Sequence, residues 1–168
     1  MCAARYAPER VPSMPGYYGI YLDRVDTIRG LVPTTVHVPD QRLIYIGIAT
    51  TSLRQRLVEQ DLSHRSPASF FRSVGAVLGY RPPKGSLVGR RNQQNYAFTL
   101  GDRDRIRLWI DRHLLVSWVS VEPLTHIEKA LIAEIRPLFN IQHNPEPSEL
   151  LMNLRHECRC IARTPRSR

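Results

Sequence analysis

Two short triplets in this chain mirror each other, Gly19-Ile20-Tyr21 and Tyr45-Ile46-Gly47. Alternate residues of an extended strand share a face. That groups Tyr17, Gly19 and Tyr21 on one side of the first segment, and Leu43, Tyr45 and Gly47 on one side of the second. If the two strands run antiparallel, the reversed order lets Tyr21 lie near Tyr45 and Gly19 near Gly47. Two phenols would then stand beside bare backbone that a ligand can approach closely. The isoleucines Ile20, Ile44, Ile46 and Ile48 are left to face the core. A strand tyrosine is ordinarily packing, and the pair of glycines on the same side is what marks a polar site.

Two charged residues raise the same question on helices. In LTHIEKALIAEI, Leu124, Ile127, Leu131, Ile132 and Ile135 form one apolar stripe at 3.6-residue spacing, and Glu128 falls inside it. A carboxylate aimed at a core is either paired with a cation or bound to a metal. Arg56 sits between Leu53 and Leu57 in angle, where its guanidinium could reach over the sheet face or, equally, stand exposed beside Arg54.

These side chains need elements to hold them. Residues 17–22 and 43–48 alternate as strands, and LLVSWVSVE over 114–122 is β-branched and aromatic, a third and well-buried strand. Ser52-Leu53-Arg54-Gln55 has the form of a capping box opening a helix. Further helices are expected from Ser66 or Ser69 to Gly79, from Asp102 to His113, over 124–135, and from Pro147 to about Ile161. The last places Leu150, Leu151, Leu154 and Cys158 on one side. It could close the core or form a dimer face.

Residues 1–15, with three prolines, read as a flexible arm, and residues 23–41 as an insertion or an irregular ribbon. RPPKGSLVGRRNQQN, 81–95, reads as a flexible basic loop carrying Lys84, Arg90 and Arg91. The expected organisation is an arm (1–15), one domain (16–145) and a C-terminal amphipathic helix with a basic tail (146–168). The fold class is α+β: a small central three-stranded antiparallel sheet flanked by helices.

The bulk numbers agree with one globular domain. The chain has 168 residues, 42% of them apolar, enough for a single core. No apolar run is long enough to span a membrane, and the first residues lack the apolar segment of a signal peptide, so a cytoplasmic location is expected. Three cysteines without CxxC spacing point to reduced thiols rather than a disulfide framework or zinc site. A formal charge of +9 favours polyanionic partners, although charge alone selects none.

Taken together, the motifs resemble the GIY-YIG nuclease superfamily, which includes homing endonucleases, some restriction enzymes and the incision subunit of bacterial nucleotide-excision repair. The resemblance covers roughly residues 15–145. It rests on Gly19-Ile20-Tyr21, Tyr45-Ile46-Gly47, Arg56 in Leu53-Arg54-Gln55-Arg56-Leu57, and Glu128 followed twelve positions later by Asn140 in EKALIAEIRPLFN. It implies a metal-dependent endonuclease acting on DNA. Glu128 would hold one divalent cation, Mg²⁺ with Mn²⁺ as the alternative. Arg56 would offset phosphate charge, Tyr21 would activate the water, and Tyr45 would position or assist. Asn140 would tie the chain after the helix back to the site.

Three departures bear on the proton path. Ile48 follows the second triplet where repair enzymes often carry Lys. Gln60 stands where a His or Tyr is common, and His64, one further turn along, is the candidate substitute. The 23 residues between Tyr21 and Tyr45 exceed the usual hairpin. Lys84, Arg90 and Arg91 are candidate phosphate contacts. The residues leave open a non-cleaving nucleic-acid-binding or regulatory module, an RNA-directed nuclease, and a dimer or protein partner. A further expectation is that Arg56→Ala abolishes cleavage while the fold stays stable.

Overall fold

The computed structural model describes residues 1–31 and 41–165. Residues 32–40 of the 23–41 insertion and the end of the basic tail (166–168) therefore lie outside the described residues. Strands β1 (Cys2–Ala3), β2 (Gly16–Leu22), β3 (Leu43–Ala49) and β4 (Leu114–Ser120) form one antiparallel sheet in the order β1-β4-β2-β3. Helices α1 (Ala7–Arg10), α2 (Asp26–Arg29), α3 (Ser69–Val77), α4 (Leu100–His113), α5 (Thr125–Ile135) and α6 (Glu149–Arg163) surround it, with a π-helix over Arg54–Leu62 between β3 and α3. The fold is thus α+β, with one short strand more than the three expected.

That extra strand corrects the reading of residues 1–15 as a loose arm. Cys2 and Ala3 pair with Val116 and Leu115, and Ala4, Ala7 and Val11 are buried. Leu53 and Arg54 donate backbone hydrogen bonds to Met14 and Pro12, which fixes the rest of the segment against the π-helix. The small size of the buried Ala4 suits the close packing of this segment on α4, and Ala7–Arg10 packs on the π-helix.

The core lies on one sheet face. Tyr18, Ile20 and Leu22 of β2 and Leu114 and Val116 of β4 meet the π-helix, α3 and α4 there, through Leu53, Leu57, Phe70, Phe71 and Ile106. Helix α4 starts where Thr99 accepts a hydrogen bond from the Asp102 N–H, and α3 ends before Gly79, whose φ of +87° suits glycine. Strand β4 is buried only in its first half. Val119 and Ser120 are exposed, contrary to a well-buried strand through 122.

The loop 81–95 is also better held than its Pro and Gly content suggests. Gly85 and Leu87 donate to the carbonyls of Ile161 and Ala162 at the end of α6, and Leu87 is buried. Lys84, Arg90 and Arg91 stand exposed on it.

Candidate active site

The strand register decides which tyrosine belongs to the site. Directly opposed residues of an antiparallel pair share a face. Here Tyr18 opposes Gly47, Gly19 opposes Ile46 and Ile20 opposes Tyr45, and a bulge at Ile44 then brings Tyr21 opposite Leu43. This is one residue away from the register that would match the two triplets, and a one-residue slip moves every side chain to the other face.

Tyr21 and Tyr45 therefore lie on opposite sides of the sheet, as do Gly19 and Gly47. Tyr21 accepts a hydrogen bond from the Ser117 hydroxyl at 3.1 Å, in a groove beside Tyr17 on the outer face. The tyrosine that shares a face with Tyr45 is Tyr18, their ring centroids 6.3 Å apart. Gly47 is where the Tyr18 ring fits. A Cβ at position 47 would overlap that ring. Tyr18 is buried and anchored, so Gly47→Ala is expected to cost about 1–3 kcal/mol by overpacking, read as a lower urea midpoint. An unchanged midpoint would mean that the ring can move aside.

The π-helix supplies the next group. In an α-helix Arg56 and Asp61, five residues apart, would be separated by about 140°. In a π-helix, bonded i→i+5, they fall one turn apart on the same face. Arg56 Nη1 meets Asp61 Oδ1 at 2.7 Å, and the Tyr18 hydroxyl donates to Asp61 Oδ2. The other arm of the Arg56 fork, Nη2, donates to the Tyr45 oxygen at 3.3 Å. Burial pushes the Asp61 carboxyl up from its ordinary value, against the pull of Arg56 and Tyr18. The same burial raises both phenols, so Tyr18 and Tyr45 are neutral at physiological pH although Arg56 draws them down. Only Ser52 of the expected capping box has its partner, the Gln55 N–H, at 3.2 Å.

Beyond the outer edge of β3 opens a cleft of about 370 Å³ lined by Tyr45, Arg56, Ser69, Glu128, Asn140 and Arg155 among others. Glu128 is half-buried at its wall rather than set in a core. Of the apolar stripe around it only Ile132 is buried, while Leu124 and Ile127 are exposed. Burial raises its carboxyl above the usual range, and Arg56 and the Ile48 backbone draw it back. Asn140 lies along the β3 edge like an added strand residue. Its Oδ1 accepts from the Ile46 N–H and its Nδ2 donates to the Ile46 carbonyl, both at 2.9 Å.

His64 is not among the residues lining this cleft. It is buried in the left-handed region (φ 51°) and stacked on Phe71 at 4.8 Å between ring centroids. Burial, with Arg72 and Arg103 nearby, lowers its imidazole to about 4. A base depressed by folding binds its proton more readily when unfolded. Its contribution to stability is full above pH 6.5 and is lost as pH falls toward about 4. In His64→Asn, which tolerates positive φ and does not titrate, the urea midpoint should fall less steeply over that window. Equal slopes would place a protonated His64 in the folded protein.

Tyr18, Asp61, Ser69 and Arg155 are the cleft and support residues that the sequence motifs leave out. Two carried a signal. Asp61 follows Leu53 and Leu57 at four-residue steps, and Arg155 stands between Leu151 and Cys158, so each interrupts an apolar stripe as Glu128 does.

A family model described as GIY-YIG catalytic domain matches residues 16–159, reaching past 145 into α6. No curated protein and no solved structure matches the chain. With Tyr45, Arg56 and Glu128 gathered in one cleft and that match spanning most of its length, the chain belongs to the GIY-YIG family of nuclease domains.

Proposed function

We propose that the protein is a metal-dependent endonuclease that hydrolyses DNA phosphodiester bonds in the cleft between Tyr45, Arg56 and Glu128. The observation that carries this reading is the convergence of a phenol, a guanidinium and a carboxylate, from three separate elements, on one open polar cleft. The net charge of +9 and the exposed Lys84, Arg90 and Arg91 favour a polyanionic substrate.

Glu128 brings one carboxylate to the cleft, and no three His, Cys, Asp or Glu residues gather among the described residues. A single carboxylate, completed by waters and phosphate oxygens, is a donor set that suits Mg²⁺, with Mn²⁺ as the alternative. Bound there, the cation would offset charge on the phosphate and on the leaving oxygen.

The chain's own residues do the rest. Arg56 presents the Nη2 arm of its guanidinium to a phosphate oxygen, while Nη1 is held from behind by Asp61. Tyr45 accepts from Arg56, which leaves its own proton free to bond a water or a phosphate oxygen. As a neutral phenol it orients the attacking water, and it serves as a base only where added positive charge offsets the rise that burial gives it. The water-activating role expected of Tyr21 passes to Tyr45, because Tyr21 opens on the other face. Tyr18 is committed to Asp61 and acts on the site by positioning. Asn140 holds the cleft floor to β3.

Incubation of the purified protein with supercoiled plasmid and with RNA, in Mg²⁺ or in EDTA, tests the reading. Metal-dependent nicking of the plasmid is expected. Tight, salt-sensitive binding without product at any enzyme excess would make this a binding module. Cleavage confined to RNA would move the substrate class.

A further inference from the structure

Behind the cleft lies a group of cations with no matching anions. Arg72 on α3 is 5% exposed, and its Nε and Nη1 are buried without a hydrogen-bond partner. Its guanidinium carbon lies 5.6 Å from the centroid of the Tyr96 ring, a neutral and buried group. Arg155 of α6, which lines the cleft, has its Nε buried and unpartnered, and Arg159 follows one turn along the same helix. Among the described residues, no carboxylate comes within ion-pair distance of Arg72, Arg155 or Arg159, and Asp61 is taken by Arg56.

An uncompensated buried cation is costly and is kept only where something repays it. Burial together with Arg155 and Arg159 lowers Arg72 to about 10 from its ordinary 12.5, so the three cations repel one another. The N-terminus of α3 opens on the same cleft at Ser69. Its capping position, Ala68, offers no side chain to the free N–H groups.

We propose that Arg155, backed by Arg72 and the first turn of α3, forms a second phosphate subsite, distinct from the Glu128 corner of the cleft. It would hold a phosphate next to the one cleaved. Arg155 is the contacting residue, and Arg72 and Arg159 supply field from behind. The source is either an internucleotide phosphate or a terminal one. The position of the subsite relative to the reacting phosphate rests on the nuclease reading, whereas its affinity for phosphate does not.

The test measures binding of short single-stranded and duplex oligonucleotides by fluorescence anisotropy in EDTA, each with a 5′-phosphate or a 5′-hydroxyl, across a salt series. It is run on the full chain, on Arg72→Met, on Arg155→Met and on a surface control, Arg105→Met. Melting temperatures are read with and without inorganic pyrophosphate. Both variants should bind several-fold more weakly, and Arg155→Met, which removes the contacting cation, should also reduce the slope of log affinity against log salt by about one. Without ligand they should melt at or above the wild-type temperature, because a strained charge has been removed, and they should lose the rise given by pyrophosphate.

A preference for 5′-phosphate lost in the variants assigns the subsite to a terminal phosphate; equal binding of both ends assigns it to the internucleotide backbone. An unchanged salt slope in Arg155→Met, with lowered melting temperatures in both variants, would overturn the subsite and make the cluster structural. If the wild type binds in this way but never cleaves, the nuclease reading fails and the subsite stands. If it cleaves and the variants bind normally, the subsite alone fails.

Discussion

Asp61→Ala is expected to lower the free energy of unfolding by about 3–5 kcal/mol, the range for breaking one side of a buried ion pair. Asp61 is completely buried, and its two oxygens serve Arg56 and Tyr18 at once. Its loss leaves a guanidinium without its counter-charge and a buried hydroxyl without its acceptor, and each is costly. The Arg56 side chain keeps 28% exposure, so water recovers part of the charge term and the low end of the range applies. Freed from Asp61, Arg56 no longer holds its fork at the cleft, and a misplacement of about 1 Å can cost on the order of 10²-fold in rate. Urea unfolding and plasmid nicking, measured on the same preparation, check both halves. A loss below about 1 kcal/mol would mean that solvent already screens the pair. The converse variant, Arg56→Ala, strands a buried carboxylate. It should destabilise the fold as well as stop cleavage, unlike the purely functional loss expected from sequence.

Glu128→Gln should do the opposite, abolishing activity while sparing the fold. Among the described residues no cation lies within ion-pair distance of Glu128, and burial already holds its carboxyl above the usual range. Removing the charge while keeping the shape should leave the melting temperature unchanged or slightly higher, as is common for groups maintained for function. Nicking should fall by at least ~10²-fold. Mn²⁺ should not restore it, since the amide is a weaker donor to either cation. Full activity in Glu128→Gln would remove Glu128 from the reaction. A marked fall in melting temperature with activity intact would make it structural.

The elements were legible because each carries its period openly. Alternation gave β2 and β3, Gly79 closes α3, and Glu128 betrays itself by interrupting an apolar stripe. The pairing of the strands was not legible. β2 is tyrosine-rich on both faces, with Tyr17 and Tyr21 on one and Tyr18 on the other. Matching the mirrored triplets therefore chose a register one step from the real one. Register is set by how a whole face packs, and the decisive contact is the Tyr18 ring over Gly47, which no local pattern reports. The short β1 strand was hidden for a similar reason. Two residues have no period, and its position comes from pairing with β4 and from Ala4 packing on α4. Asp61 was visible as an acid in an apolar stripe, but its pairing with Arg56 was not, because an α-helical wheel separates the two.

The π-helix over Arg54–Leu62 gives length a meaning that composition does not have. Arg56 and Asp61 meet only because the winding brings residues five apart into line. Deleting one residue between them would let the segment relax to ordinary α-helical winding with the counter-ion four places away, on a different phase relative to Leu53 and Leu57. Insertion and deletion are thus coarser perturbations here than most substitutions, although the chemistry of every side chain would be kept. Homologous chains that share this arrangement should keep the interval between these two residues more strictly than the identity of the residues lying between them.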